Sequence, residues 1–250
     1  MRCWRLIIAF SNGLLVGGAR GNNVTRGAPP PLRRSPCYGR ARMSARLLLA
    51  ALIGLCCVAP AAAHPHVWVT ATSELVYAPD GSVTGVRQHW VFDDMFSAFA
   101  VQGLEGKEKG KFSRDELAPL AKVNVEDLKD ADYFTFATAD GKKAPFADPA
   151  PDYYLDYKDE LLTLNFTLPF KQPVKAKDLK IEIYDPTYFI AFALDKQTPV
   201  HLVGAPAQCQ VAVEWPREMT YALGKQLSNN PEAASDWGAF FANKITVKCP

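Results

Sequence analysis

The first 63 residues contain no Asp, no Glu and no Lys. All 26 acids therefore fall in 64–250, where they face 19 Lys and Arg, because nine of the 28 basic residues are arginines upstream. That later part carries a formal net charge of −7, and the whole-chain pI of about 8.2 averages two unlike segments. Nucleic-acid binders show a basic face or stripe, so nucleic acid is not expected as a partner. Long apolar runs are missing too. The longest, Leu47 to Val58, falls short of the ~20 residues that span a bilayer. There is no Gly-x-Ser-x-Gly, no phosphate-binding loop, no Cys-x-x-Cys and no internal repeat. His201 has no evident partner for general-base work, and enzymatic activity is not expected.

What is present begins with a leader. Met43-Ser44-Ala45-Arg46, the apolar run and Ala59-Pro60-Ala61-Ala62-Ala63 form the three parts of a secretory signal. Residues 43–63 read as a cleaved signal peptide and the mature chain as lacking a transmembrane segment, which implies the periplasm. Residues 1–42, Arg-, Gly- and Pro-rich, read as disordered or as an extension upstream of a start at Met43, with a transit peptide as the alternative. Residues 64–250 read as one α+β domain with room for two lobes. Of six cysteines only Cys209 and Cys249 remain there. An even pair in an exported protein points to a disulfide.

The fold class expected is α+β, mainly antiparallel strands with an N-terminal hairpin, a helical pair resembling a degenerate EF-hand, and C-terminal helices. Val67–Tyr77 and Val83–Phe92 alternate apolar and polar residues around Asp80-Gly81, a hairpin signal. A two-residue loop sets Glu74 opposite Arg87 and Thr72 opposite His89, with Val67, Val69, Ala71, Leu75 and Tyr77 on the apolar face. Asp94 reads as the N-cap of a short helix with Phe96, Phe99 and Gly103 on one stripe. Ser113-x-x-Glu116 reads as a capping box opening a helix through Ala121. Glu105 to Glu116 overlays a twelve-residue calcium loop, with Gly110 at position six. Lys107 and Lys109 occupy ligand positions, and an ammonium cannot ligate Ca²⁺, so calcium is not expected. Strands are expected at 134–139, 153–157, 161–168, 179–184, 189–194, 200–203, 209–214 and 245–249, and helices at 217–227 and 232–241.

The stretch with most chemistry is His64-Pro65-His66-Val67-Trp68-Val69. Histidines two apart on a strand share a face, so both imidazoles can reach one ion. Cutting after Ala63 adds the free amine of His64. Cutting after Ala61 leaves Ala62-Ala63-His64, a square-planar Cu²⁺ or Ni²⁺ chelator. Pro65 has no N–H, so no amide nitrogen coordinates at 65. Nitrogen donors of this kind suit Zn, Ni, Co or Cu. The hairpin register brings Asp93 beside this end as a further metal ligand, with Asp185 a more distant one. His89, on the order of 20 Å down the strand, cannot share the ion and pairs instead with Thr72. Tyr184-Asp185-Pro186-Thr187-Tyr188-Phe189 packs in a core as a strand end or lines a pocket.

Together with Trp90-Val91-Phe92-Asp93-Asp94-Met95-Phe96-Ser97 and the terminal Val247-Lys248-Cys249-Pro250, these motifs resemble one bacterial family. It is the "domain of unknown function" family numbered one thousand and seven, whose members are described as the periplasmic component of an ABC-type transport system. The resemblance covers 64–250. It implies an exported protein near nickel- or cobalt-type permeases, with an inner-membrane metal permease as the partner. It carries over no established site residues, and relatives often have an acidic loop where this chain has Lys107 and Lys109. The functional expectation is a metal-binding accessory of a transport system. Its alternatives are a solute-binding component for a small organic ligand, or a structural module of the envelope.

Overall fold

In a computed structural model of the chain, the described residues are 65–108, 110–216 and 233–250, without the side chains of 233–236. His64, Lys109, residues 1–63 and the helix expected at 217–227 lie outside them.

Strands β1 (Val67–Tyr77) and β2 (Val83–Phe92) form an antiparallel hairpin. Alternation decides the register. Val67, Val69, Ala71, Leu75, Val86, Trp90 and Phe92 are all buried, and a slip of one residue would turn them to water. Glu74 stands opposite Arg87 and makes an ion pair with it, and Thr72 stands opposite His89. The turn is wider than two residues. The Gly81 N–H donates to Ala78 O at 2.9 Å and the Ala78 N–H to Ser82 O at 2.8 Å, with Gly81 at φ +81°. Closer to the strands, the pairing shifts between Val76 and Tyr77 and leaves Thr84 as an extra residue in β2. The longer loop and the bulge offset each other, so the core register equals that of a two-residue loop. His89 finds its hydrogen bond away from Thr72, its Nδ1 lying 2.5 Å from Asn165 Oδ1.

After the hairpin come α1 (Asp94–Ala100) and α2 (Arg114–Leu128). The N-cap of α1 is Asp93, not Asp94, since the Asp93 carboxylate accepts the Phe96 N–H. The face turned inward is Ser97 and Ala100, while Phe99 stays 47% exposed. Ser97 Oγ accepts the buried Leu162 N–H at 2.9 Å, and this fixes the helix to the sheet. The capping box at Ser113 and Glu116 is formed, but α2 runs well past Ala121. Its buried stripe of Leu117, Leu120, Ala121, Asn124, Val125 and Leu128 keeps helical spacing to the end. Asn124 hides in that stripe because its side-chain amide donates to Leu120 O.

A 3₁₀-type segment, Lys129–Phe134, leads into the remaining strands: β3 (Thr135–Ala139), β4 (Lys142–Lys143), β5 (Tyr154–Lys158), β6 (Leu161–Val174), β7 (Asp178–Ile183), β8 (Ile190–Leu194), β9 (Val200–Val203), β10 (Gln210–Glu214) and β11 (Asn243–Lys248). A second 3₁₀ segment, Ala233–Phe241, stands where the last helix was expected. The first sheet is ordered β5-β6-β2-β1-β8, with β9 also on β1, and the second β10-β11-β7-β3-β4. Most pairs are antiparallel, but β8 and β9 both run parallel to β1 along its free edge.

The apolar faces of the two sheets share one core cluster. Trp90 meets Phe166 and Phe192 edge-on, each at 4.8 Å between ring centres. Two buried polar groups tie the sheets together. Gln88 accepts from Ser73 Oγ at 2.7 Å and donates to Thr135 Oγ1 at 3.2 Å, from β2 to β3. Asn243 accepts the Leu194 N–H at 2.9 Å and donates to Phe192 O and Ile183 O, joining β8, β7 and β11. Unpaired in the core, each such group would be costly, so they favour the packing that pairs them.

Candidate functional site

The first described turn of chain is held in place before β1 begins. The His66 N–H donates to Phe189 O at 2.9 Å, and its exposed imidazole lies 4.7 Å from the Phe189 ring. Phe189 directly precedes β8, and the parallel pairing Val67↔Ile190 carries it alongside His66. Sequence reasoning missed this partner, because nothing in Tyr188-Phe189 announces a parallel strand returning to the chain start.

Asp93 sits where the register puts it, at the end of β2 opposite Trp68. The Trp68 N–H donates to its Oδ2 at 2.8 Å, the Phe96 N–H to its Oδ1 at 2.8 Å, and its own N–H to Trp68 O at 3.0 Å. Each carboxylate oxygen therefore already serves one backbone amide. His66 is two residues further out on the same face, about 7 Å along the strand. Asp93 is a neighbour of the candidate site whose present work is to join the hairpin to α1.

Asp185 is 1% exposed. Its Oδ1 accepts the N–H and hydroxyl of Thr187, each at 2.8 Å, and its Oδ2 accepts the Ile190 N–H at 2.9 Å. A buried carboxylate needs such donors, and here they fold Tyr184 to Ile190 into a tight loop. Gly238 packs on that loop, where any side chain would collide with the backbone at Asp185. The aromatic run is thus a loop braced from inside, which presents Phe189 to His66.

In the segment with calcium-loop spacing, Gly110 has φ +75°. The Glu116 carboxylate accepts the Lys107 N–H at 2.9 Å and the Ser113 N–H and hydroxyl at 2.8 and 2.7 Å. Those bonds, led by the two from Ser113, pull its pKa down to about 2. Among the described residues no group of three or more His, Cys, Asp or Glu side chains could hold a metal ion, and His64 lies outside those residues. Also among them, no helix is long and apolar enough to cross a membrane. Cys209 and Cys249 form the expected disulfide.

An uncharacterized protein of Haemophilus influenzae is similar to this chain, with 22% identity over 204 residues, covering 79% of this chain and 97% of the relative. The family model described as "Protein of unknown function (DUF1007)" matches residues 49–249. That span is most of the sequence, and the chain belongs to this family.

Proposed function

We propose that the chain is an exported, periplasmic accessory of a transport system that holds a divalent transition metal, Zn, Ni, Co or Cu, at its processed N-terminus. In this reading the ligands are the amine and imidazole of His64 and the imidazole of His66. Asp93 joins only by giving up its bond to the Trp68 N–H. The partner is an inner-membrane metal permease that receives the ion, and the leader supplies the route to the periplasm.

The observation that carries the reading is the fixed position of His66. Its backbone is tied to Phe189 O and its ring lies on Phe189 at the surface. A ring already held in place loses less freedom on binding an ion than one on a loose tail. A proline also restricts the backbone of the residue before it, so a chain end ahead of Pro65 has less freedom to lose on binding an ion. The imidazole and amine nitrogens match the preferences of late first-row metals.

Mass spectrometry of the mature N-terminus, followed by calorimetric titration with Zn²⁺, Ni²⁺ and Cu²⁺, tests this. Processing after Ala63 should give one site per chain, weakened about tenfold or more by His66→Ala. Processing after Ala61 should instead make His64→Ala the damaging change for Cu²⁺ and Ni²⁺. A mature chain starting beyond His66, or unaltered binding in both variants, overturns the proposal.

A further inference from the structure

The second sheet turns Thr135, Ala137, Ile181 and Ile183 to the core and Phe136, Glu182 and Tyr184 outward. Over that outward face lies a cleft of about 480 Å³, within the range of small-molecule sites. Its floor is aromatic. Phe136 and Glu182 are cross-strand partners, and the Tyr184 ring lies 4.8 Å from that of Phe136. Its opposite wall is the segment Lys143 to Phe146. The Lys171 N–H donates to Pro145 O at 3.0 Å, and Phe146 stacks on Phe170 at 4.4 Å, which sets this wall and brings Lys143 and Lys171 to one cleft.

The charges there do not cancel. Glu182 is offset by Lys244 at 3.7 Å. Lys143 and Lys171 have no carboxylate within ion-pair distance among the described residues. Asp148, which feels the charge of Lys171, is itself held by Lys129 at 2.8 Å. Of the two acids lining the cleft, only Asp132 is without an ion pair among the described residues. Flat apolar surface beside an excess of cationic donors is complementary to a flat molecule with an anionic group.

We propose that this cleft binds a small planar anion, an aromatic or conjugated carboxylate, with its ring against Phe136 and Tyr184 and its carboxylate met by Lys143 and Lys171. No residue of β1 lines the cleft, so the site is separate from the chain start and stands or falls independently of metal binding.

The test is an amide NMR titration of the processed protein, with chelator present, using benzoate, benzyl alcohol and benzylamine as probes. Benzoate should shift the amides of Phe136, Thr138, Glu182 and Tyr184 and bind about tenfold more tightly than benzylamine. The Lys143→Gln/Lys171→Gln double variant changes only exposed side chains. It should melt as the wild type does and lose about tenfold in benzoate affinity. Phe136→Leu, which keeps an apolar side chain at that place but removes the ring, should weaken benzoate and benzyl alcohol alike. Benzylamine binding as well as benzoate overturns the proposal. So do shifts centred elsewhere, unchanged affinity in the double lysine variant, or the absence of any saturable benzoate binding.

Discussion

At the scale of single residues, three carboxylates that look like ligands from sequence are occupied by the backbone. Asp93 serves the amides of Trp68 and Phe96, Asp185 those of Thr187 and Ile190, and Glu116 those of Lys107 and Ser113. An Asp or Glu next to a turn or helix start is equally good chemistry for a cation and for a cap, and spacing alone does not separate the two. Asp93→Ala should therefore destabilise the metal-free protein by about 1–2 kcal/mol in urea unfolding, since both the helix cap and the hairpin end lose an acceptor. A purely metal-liganding Asp93 would leave the metal-free stability unchanged. For Glu116 the sign follows from a folded-state pKa of about 2, below the ordinary 4.5. Its contribution is complete above pH 4.5 and fades as the pH falls toward 2. Glu116→Gln should lower the melting temperature near neutral pH, and the gap from wild type should close by about pH 2. Melting curves across that range check it.

At the scale of elements, the hairpin could be read from the chain because alternation and opposed charges fix a register whichever turn closes it. The three-residue loop and the bulge at Thr84 escape such a reading, since they cancel in the pairing that burial enforces. The parallel docking of β8 and β9 on β1 was not readable either. Parallel neighbours share no turn, and the contacts that select them, such as Phe192 on Trp90, link distant parts of the sequence. Asn243 is the residue on which that docking is most exposed to test. It is fully buried and meets three backbone groups from β7 and β8. Asn243→Leu keeps the approximate volume but strands the Leu194 N–H and two carbonyls, which should cost about 2–5 kcal/mol. Hydrogen exchange should localise the damage. The Leu194 amide should lose protection more than amides of the β1–β2 ladder do.

At the scale of the molecule, the α+β class and the acidic, disulfide-closed character follow from composition and alternation, while the way two sheets share one core does not. The site proposed at the chain start was readable as residues, His64 and His66, but the placement of His66 depends on Phe189, brought there only by the whole fold. The cleft over the second sheet was invisible for the same reason, because Phe136, Lys143, Lys171 and Tyr184 have no common motif. The disulfide acts at this scale too. Gln210 pairs with Lys248, so Cys209 and Cys249 are brought side by side by the β10–β11 ladder, at a sequence separation of 40. A crosslink that folding has already positioned acts mainly on the unfolded chain, where closing a loop of that length is worth about 4 kcal/mol on the chain-entropy model. The Cys209→Ser/Cys249→Ser variant should lose about that much in urea unfolding, and the wild type should match it once reduced. His66 and Phe189 both lie outside the closed loop, so metal stoichiometry at the chain start should be unchanged in the folded variant. A loss below about 1 kcal/mol would mean that the β10–β11 ends stay close even in the unfolded chain. Loss of metal binding together with the crosslink would mean that the second sheet, and not the Phe189 contact, positions His66.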